Sequence, residues 1–143
     1  MIEYTVKVYD DQTEWYLNGK LHREDGPAVE LTNGNKLWYL NGKKHREDGP
    51  AIEYTNGDKF WYKNGKYHRE DGPAVEYDDG SKCWWFDGKR HREDGPAIEY
   101  PSRFKSWYIN GISLTEEEFN ARLNSCNGKV VEVDGKKYKL QEI

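Results

Sequence analysis

A chain of 143 residues in which one 23-residue pattern fills most of the length leaves no room for a separate catalytic domain. Hydrophobic residues make up 35% and aromatics 15%, too little aliphatic material for a thick core but enough for a thin, aromatic-faced sheet. A net charge of −4, with both signs in every unit, excludes the basic surface that nucleic acid or an anionic membrane would draw, so neither is expected as a partner.

Residues 1–14 read as an opening half-repeat. Val6 lies one period before Val29, and Asp10-Asp11 stands where later units carry Asn-Gly. The first eight residues alternate instead of running apolar, and no window approaches the roughly 20 apolar residues of a membrane span. A soluble, cytoplasmic protein is expected, with Cys83 and Cys126 as free thiols.

Residues 15–106 hold four 23-residue units. Trp15, Trp38, Trp61, Trp84 and Trp107 fall on that interval, as do His22, His45, His68 and His91. Asn-Gly and Asp-Gly, which supply the positive φ of a type I′ turn, give two hairpin signals in each of the first three units and one in the fourth, where Arg103 stands in place of the second glycine. Asn18-Gly19, Asn41-Gly42, Asn64-Gly65, Asp87-Gly88 and Asn110-Gly111 form one set; Asn33-Gly34, Asn56-Gly57 and Asp79-Gly80 form the other. The short aromatic and β-branched runs between them read as strands. If all these turns have two residues, Trp38 faces His45 across one and Val29 across the other. The same count places Trp61 between Ile52 and His68, and Trp84 between Val75 and His91. Asp48-Gly49-Pro50 must bend the chain, with glycine at an unusual φ; a kink there means two strands per unit, a full turn three.

Residues 107–125 close the pattern. Leu114 replaces a fifth histidine opposite Trp107, and Thr115 with Glu118 begins a short capping helix. Residues 126–143 read as a hairpin around Asp134-Gly135. The fold class is therefore all-β: an elongated, single-layer antiparallel array of β-hairpin repeats, with a short C-terminal helix and a terminal hairpin.

The step Trp-x-x-Asn-Gly-Lys-x-His, followed by a glycine turn and a second Asn-Gly or Asp-Gly, resembles the MORN repeat over about residues 15–111, and is most similar to its bacterial and phage variants. The chain differs in reading His-Arg-Glu-Asp-Gly-Pro-Ala where MORN units read His-Gly-x-Gly. The resemblance implies a run of antiparallel hairpins without chemistry of its own, used for protein binding. Phospholipid-headgroup binding and an antitoxin role are also implied for members of this kind.

No cofactor or catalytic residue is expected. Strands about 4.8 Å apart separate successive histidines by roughly 10 Å, beyond the reach of one metal ion. His-Arg-Glu-Asp occurs four times in equivalent settings, whereas an active site is a single asymmetric constellation. The ladder Trp38, His45, Arg46, Trp61, His68, Arg69, Trp84, His91 and Arg92 is read as structural, with Asp capping the following turn and Arg and Glu of neighbouring units pairing across strands. Its alternative role is to bind a small ligand, nucleotide or lipid headgroup. Tyr16, Tyr39, Tyr62 and Trp85 fall on the face opposite the Trp row, and part of that face is expected to be exposed. Positions that vary between units form the candidate partner-binding stripe: Leu40, Lys63 and Phe86 before the first turn, and Lys44, Tyr67 and Arg90 after it. The expected partner is another protein, bound as by an inhibitor or antitoxin. Unpaired sheet edges or the aromatic face would also allow a homodimer.

Overall fold

The computed structural model describes residues 2–124 and 130–139. β1 (Thr5–Val8) and β2 (Gln12–Leu17) form the opening hairpin, and β3 (Lys20–Leu21) turns back on β2. The first full unit holds β4 (Val29–Leu31), β5 (Lys36–Leu37), β6 (Tyr39–Leu40) and β7 (Lys43–Lys44). The second repeats these as β8 (Ile52–Glu53), β9 (Lys59–Phe60), β10 (Tyr62–Lys63) and β11 (Lys66–Tyr67). The third holds β12 (Val75–Glu76), β13 (Lys82–Cys83), β14 (Trp85–Phe86) and β15 (Lys89–Arg90). The last holds β16 (Ile98–Glu99), β17 (Lys105–Ile109) and β18 (Ile112–Leu114). All neighbours pair antiparallel, so the molecule is an all-β array of hairpins.

Two files of strands run along the array. A 12-stranded sheet takes β1, β2, β4, β5, β8, β9, β12, β13, β16, β17 and β18 in that order, with β3 attached to β2. The ribbons β6-β7, β10-β11 and β14-β15 form the second file. Trp38 is the crease between them, separating β5 from β6. Its N–H donates to the Ala51 carbonyl in the sheet (2.7 Å), and its carbonyl accepts from the His45 N–H in the ribbon (3.1 Å). Each unit thus holds three strands, the middle one bent, and the Asp48-Gly49-Pro50 segment lies in a full connection from ribbon back to sheet.

The two turn sets differ in kind. In the first, both central residues have positive φ, 51° at Asn41 and 78° at Gly42, as a type I′ turn requires. In the second, only the glycine does, 96° at Gly34. There Gly34 N–H donates to the Leu31 carbonyl (2.9 Å) and Leu31 N–H to the Asn35 carbonyl (3.0 Å), closing a three-residue loop. Asn33 Oδ1 accepts from the Asn35 N–H at 3.0 Å, so the side chain takes up the donor inside the loop. The extra loop residue moves the register by one, and Val29 faces Leu37, not Trp38. Likewise Ile52 faces Phe60 and Val75 faces Cys83, in place of Trp61 and Trp84.

That shift builds the core. Val29, Leu37, Ile52, Phe60, Val75, Cys83 and Ile98 now form one cross-strand row on the inner face. Ile52, Phe60 and Val75 are buried at its centre, and Tyr62, Tyr67 and Trp85 of the ribbons pack against them. The aromatic face opposite the Trp row is therefore half-buried, while Tyr54, Tyr77 and Tyr100 farther out on the sheet stay exposed. On the outer face, Glu30, Lys36, Glu53, Lys59, Glu76, Lys82, Glu99 and Lys105 alternate in sign strand by strand, the arrangement that cross-strand pairing favours.

At the far end Trp107 faces Leu114. Helix α1 (Glu116–Asn124) then packs on β17 and β18 and buries Phe119 to 2% exposure. Its start is a capping box: Thr115 N–H donates to Glu118 Oε2 (2.9 Å) and Glu118 N–H to Thr115 Oγ1 (3.1 Å). β19 (Val130–Val133) and β20 (Lys136–Lys139) form a separate two-stranded sheet around Asp134-Gly135. Cys126 lies outside the described residues, as do both ends of the 126–143 segment. Among the described residues, no helix is long and apolar enough to cross a membrane.

Candidate functional site

Each return from ribbon to sheet carries the same clamp. Arg46 lies with its guanidinium carbon 3.9 Å from the Trp38 ring centroid, and Arg69 on Trp61 and Arg92 on Trp84 repeat that distance. Arg23 sits 4.2 Å from Trp15. Arg46 Nε donates to Asp48 Oδ1 (3.0 Å), and its Nη1 donates to the Pro50 carbonyl (3.1 Å) and Glu53 Oε1 (2.9 Å). Stacking on indole contributes about 0.5–2 kcal/mol, and the side chain's 21% exposure favours the middle of that range. Asp48 therefore orients its own repeat's arginine instead of capping the turn, and the Arg–Glu pair lies within one 23-residue repeat counted from Trp38, not between neighbours. The guanidinium beside Asp71 and Asp94 holds both carboxyls below their ordinary range.

Gly49 does not adopt a positive φ, so what constrains it is space and not backbone conformation. A Cβ on it would stand 3.1 Å from Arg46 Cζ. Gly26, Gly72 and Gly95 are crowded in the same way by Arg23, Arg69 and Arg92.

The histidines join one unit to the next. His45 Nδ1 accepts from the Asn64 backbone N–H at 3.0 Å, and His22, His68 and His91 hold Asn41, Asp87 and Asn110 at 2.9, 3.0 and 3.0 Å. With Nδ1 accepting, the ring proton sits on Nε2 and faces Glu47 Oε1 at 2.7 Å. Two backbone bonds reinforce this junction: Gly65 N–H to the Lys44 carbonyl (2.9 Å) and Arg46 N–H to the Tyr62 carbonyl (3.2 Å). Among the described residues, no three His, Cys, Asp or Glu side chains gather as a metal ion would require.

Between successive His-Arg-Glu-Asp-Gly-Pro loops lies a shallow cleft, and the clefts recur along the outer face. One is walled by Arg46–Pro50 and by His68–Asp71, with Trp61 and Lys63 between the walls. Its neighbours have Trp38 with Leu40, and Trp84 with Phe86, in the same places. The rims are acidic: Glu47, Asp48, Glu70 and Asp71 are all more than two-thirds exposed. Phe86 is exposed and packs its ring 4.4 Å from His68.

The variable positions do not form one stripe. Leu40 pairs with Lys43, and Tyr39 with Lys44, so strand alternation sends Leu40, Lys63 and Phe86 to the clefts and Lys44, Tyr67 and Arg90 to the inner face. There Lys44 lies 5.1 Å from the Tyr62 ring, Tyr67 stacks on Tyr62 at 4.4 Å, and Arg90 lies 5.2 Å from Trp85. Burial raises the Tyr39, Tyr62 and Tyr77 hydroxyls above the usual phenol range, and burial raises the Cys83 thiol. The acidic rims and the prolines of the walls were present in the repeat but gave no local sign of bordering a cleft. No protein-family model, curated protein or solved structure matches the chain.

Proposed function

We propose that the chain is a non-catalytic, MORN-type repeat module that binds another protein along its outer clefts, acting in the cytoplasm as an inhibitor or antitoxin that covers its partner's surface. One observation carries this reading. In each unit Trp, Arg, His and the following Asp or Glu are engaged within the fold, while the cleft floor between them changes from Leu40 to Lys63 to Phe86. A constant frame with a changing floor suits an irregular protein surface. A small ligand would instead meet equivalent sites in every unit, and the Nε and Nη1 donors of each clamp arginine are already satisfied, which weighs against headgroup or nucleotide binding.

The test is affinity capture from the source cells with the intact chain and with a Leu40→Ser, Lys63→Glu, Phe86→Ser variant, followed by calorimetry on the captured protein. The expected result is a 1:1 complex weakened at least tenfold by the floor changes, equivalent to about 1.4 kcal/mol. Unchanged binding by the variant, or several equivalent small-molecule sites per chain, would overturn it.

A further inference from the structure

We infer that the open edge of the 12-stranded sheet, strand β1, pairs antiparallel with the β1 of a second copy, with Val6 on the two-fold axis. This does not depend on the cleft reading, since β1 lies at the end of the array. The two ends of the sheet are finished differently: α1 packs on β17 and β18, whereas among the described residues β1 pairs only with β2 and all four of its residues are exposed.

The hydrogen bonds fix which groups are free. Trp15 N–H donates to the Ala28 carbonyl (2.8 Å) and its carbonyl accepts from His22 N–H (2.9 Å), so Trp15 turns both groups away from β1. Val6, opposite Trp15, is therefore at a non-hydrogen-bonded position, and its own N–H and C=O point out of the sheet. The turn bond from Tyr9 N–H to the Gln12 carbonyl (2.8 Å) sets the same parity, which places the Val8 groups outward too. Val6 and Val8 share one side of the strand, and Tyr4, just before it, lines the same cleft as Val6 beside Trp15; their exposures are 47%, 77% and 38%. Lys7 is on the other side and leans back over Tyr16, 4.5 Å from its ring.

An edge with free peptide groups and an apolar row fits another strand, and an axis at Val6 is the register that pairs every residue from Tyr4 to Val8. With the axis at Val6, Tyr4 meets Val8 of the second copy, Val6 meets Val6, and Lys7 meets Thr5. Three hydrogen-bonded pairs give about six new backbone bonds and extend the sheet through both molecules. An axis at Lys7 would oppose two lysines at about 4.5 Å between Cα atoms. An axis at Val8 would leave fewer residues paired.

Analytical ultracentrifugation of the full chain is expected to show a concentration-dependent monomer–dimer equilibrium. Val8→Pro removes an outward N–H without breaking a bond inside the chain, and should weaken the dimer at least tenfold while circular dichroism stays unchanged. The register is read separately in a Cys83→Ser, Cys126→Ser background. Val6→Cys should oxidise to a covalent dimer, because hydrogen-bonded partners lie about 5.5 Å apart, within disulfide reach. Lys7→Cys should cross-link at least tenfold more slowly. A chain that stays monomeric to about 1 mM, a dimer indifferent to Val8→Pro, preferential cross-linking of Lys7→Cys, or capture of β1 only by a strand of a different protein would each overturn the proposal.

Discussion

The imidazole of His45 accepts a hydrogen bond from the backbone N–H of Asn64, 19 residues later and 3.0 Å away. Asn64 opens a type I′ turn at φ 50°, so the bond holds the next ribbon in place at its tightest point. Removing the ring leaves a donor at a half-buried junction with nothing to bond. His45→Ala is expected to destabilise the chain by about 1–3 kcal/mol in urea unfolding. Lys63→Ala, which touches no such bond, should stay within about 0.5 kcal/mol. Equal losses in the two variants would mean that the histidine is not a junction.

Gly49→Ala should act through Arg46. The new Cβ would come within 3.1 Å of Arg46 Cζ and shift the guanidinium over Trp38 by a few tenths of an ångström, a loss of up to about 1 kcal/mol. In an Arg46→Ala background that obstacle is gone, and the glycine substitution should cost less than half as much. A double-mutant cycle with a coupling energy near zero would show that the glycine serves some other purpose.

Arg103 occupies the position that glycine holds in the earlier sheet turns, at φ 69°. The bonds there match those of the earlier loops, with Arg103 N–H donating to the Tyr100 carbonyl at 3.0 Å. A side chain in this region costs about 1–2 kcal/mol, partly offset by the extra freedom glycine brings to the unfolded chain. Arg103→Gly is therefore expected to stabilise the protein by roughly 0.5–1 kcal/mol, seen as a higher midpoint in thermal unfolding. A lower midpoint would contradict the turn assignment.

Alkaline titration should separate the tyrosines. Tyr39, Tyr62 and Tyr77 are raised by burial, and Tyr16 is pushed up to about 12, chiefly by its hydrogen bond to Glu14. Their neutral forms are favoured in the fold, so this contribution is fully present below the unfolded value near 10 and is lost as pH rises through the folded values. Stability should fall above about pH 10, and phenolate absorbance should rise in two phases. A single phase from all 11 tyrosines near that value would rule the shifts out.

Much of the fold could be read in the residues themselves because it depends on chemistry within a few positions along the chain. The five first-set turns adopt positive φ at both Asn or Asp and Gly, Trp107 meets Leu114, and Thr115 with Glu118 starts the helix, all as the local pattern implies. The clamp was less legible. His-Arg-Glu-Asp-Gly-Pro shows its charges, but the seven-residue reach from Arg46 to Glu53 exists only once the loop has folded over Trp38.

The 23-residue period, the type I′ corners and the closing helix belong to the sequence, since backbone dihedrals and capping groups answer to their nearest neighbours. The register of the second turns, the crease at each tryptophan and the division of the variable residues between two faces belong to the tertiary structure. An Asn-Gly pair permits either a two- or a three-residue loop. The choice falls to the longer one at Asn33-Gly34 because it sets Val29 against Leu37, so that a continuous apolar row meets the aromatic ribbons, and that burial involves residues far apart in the chain.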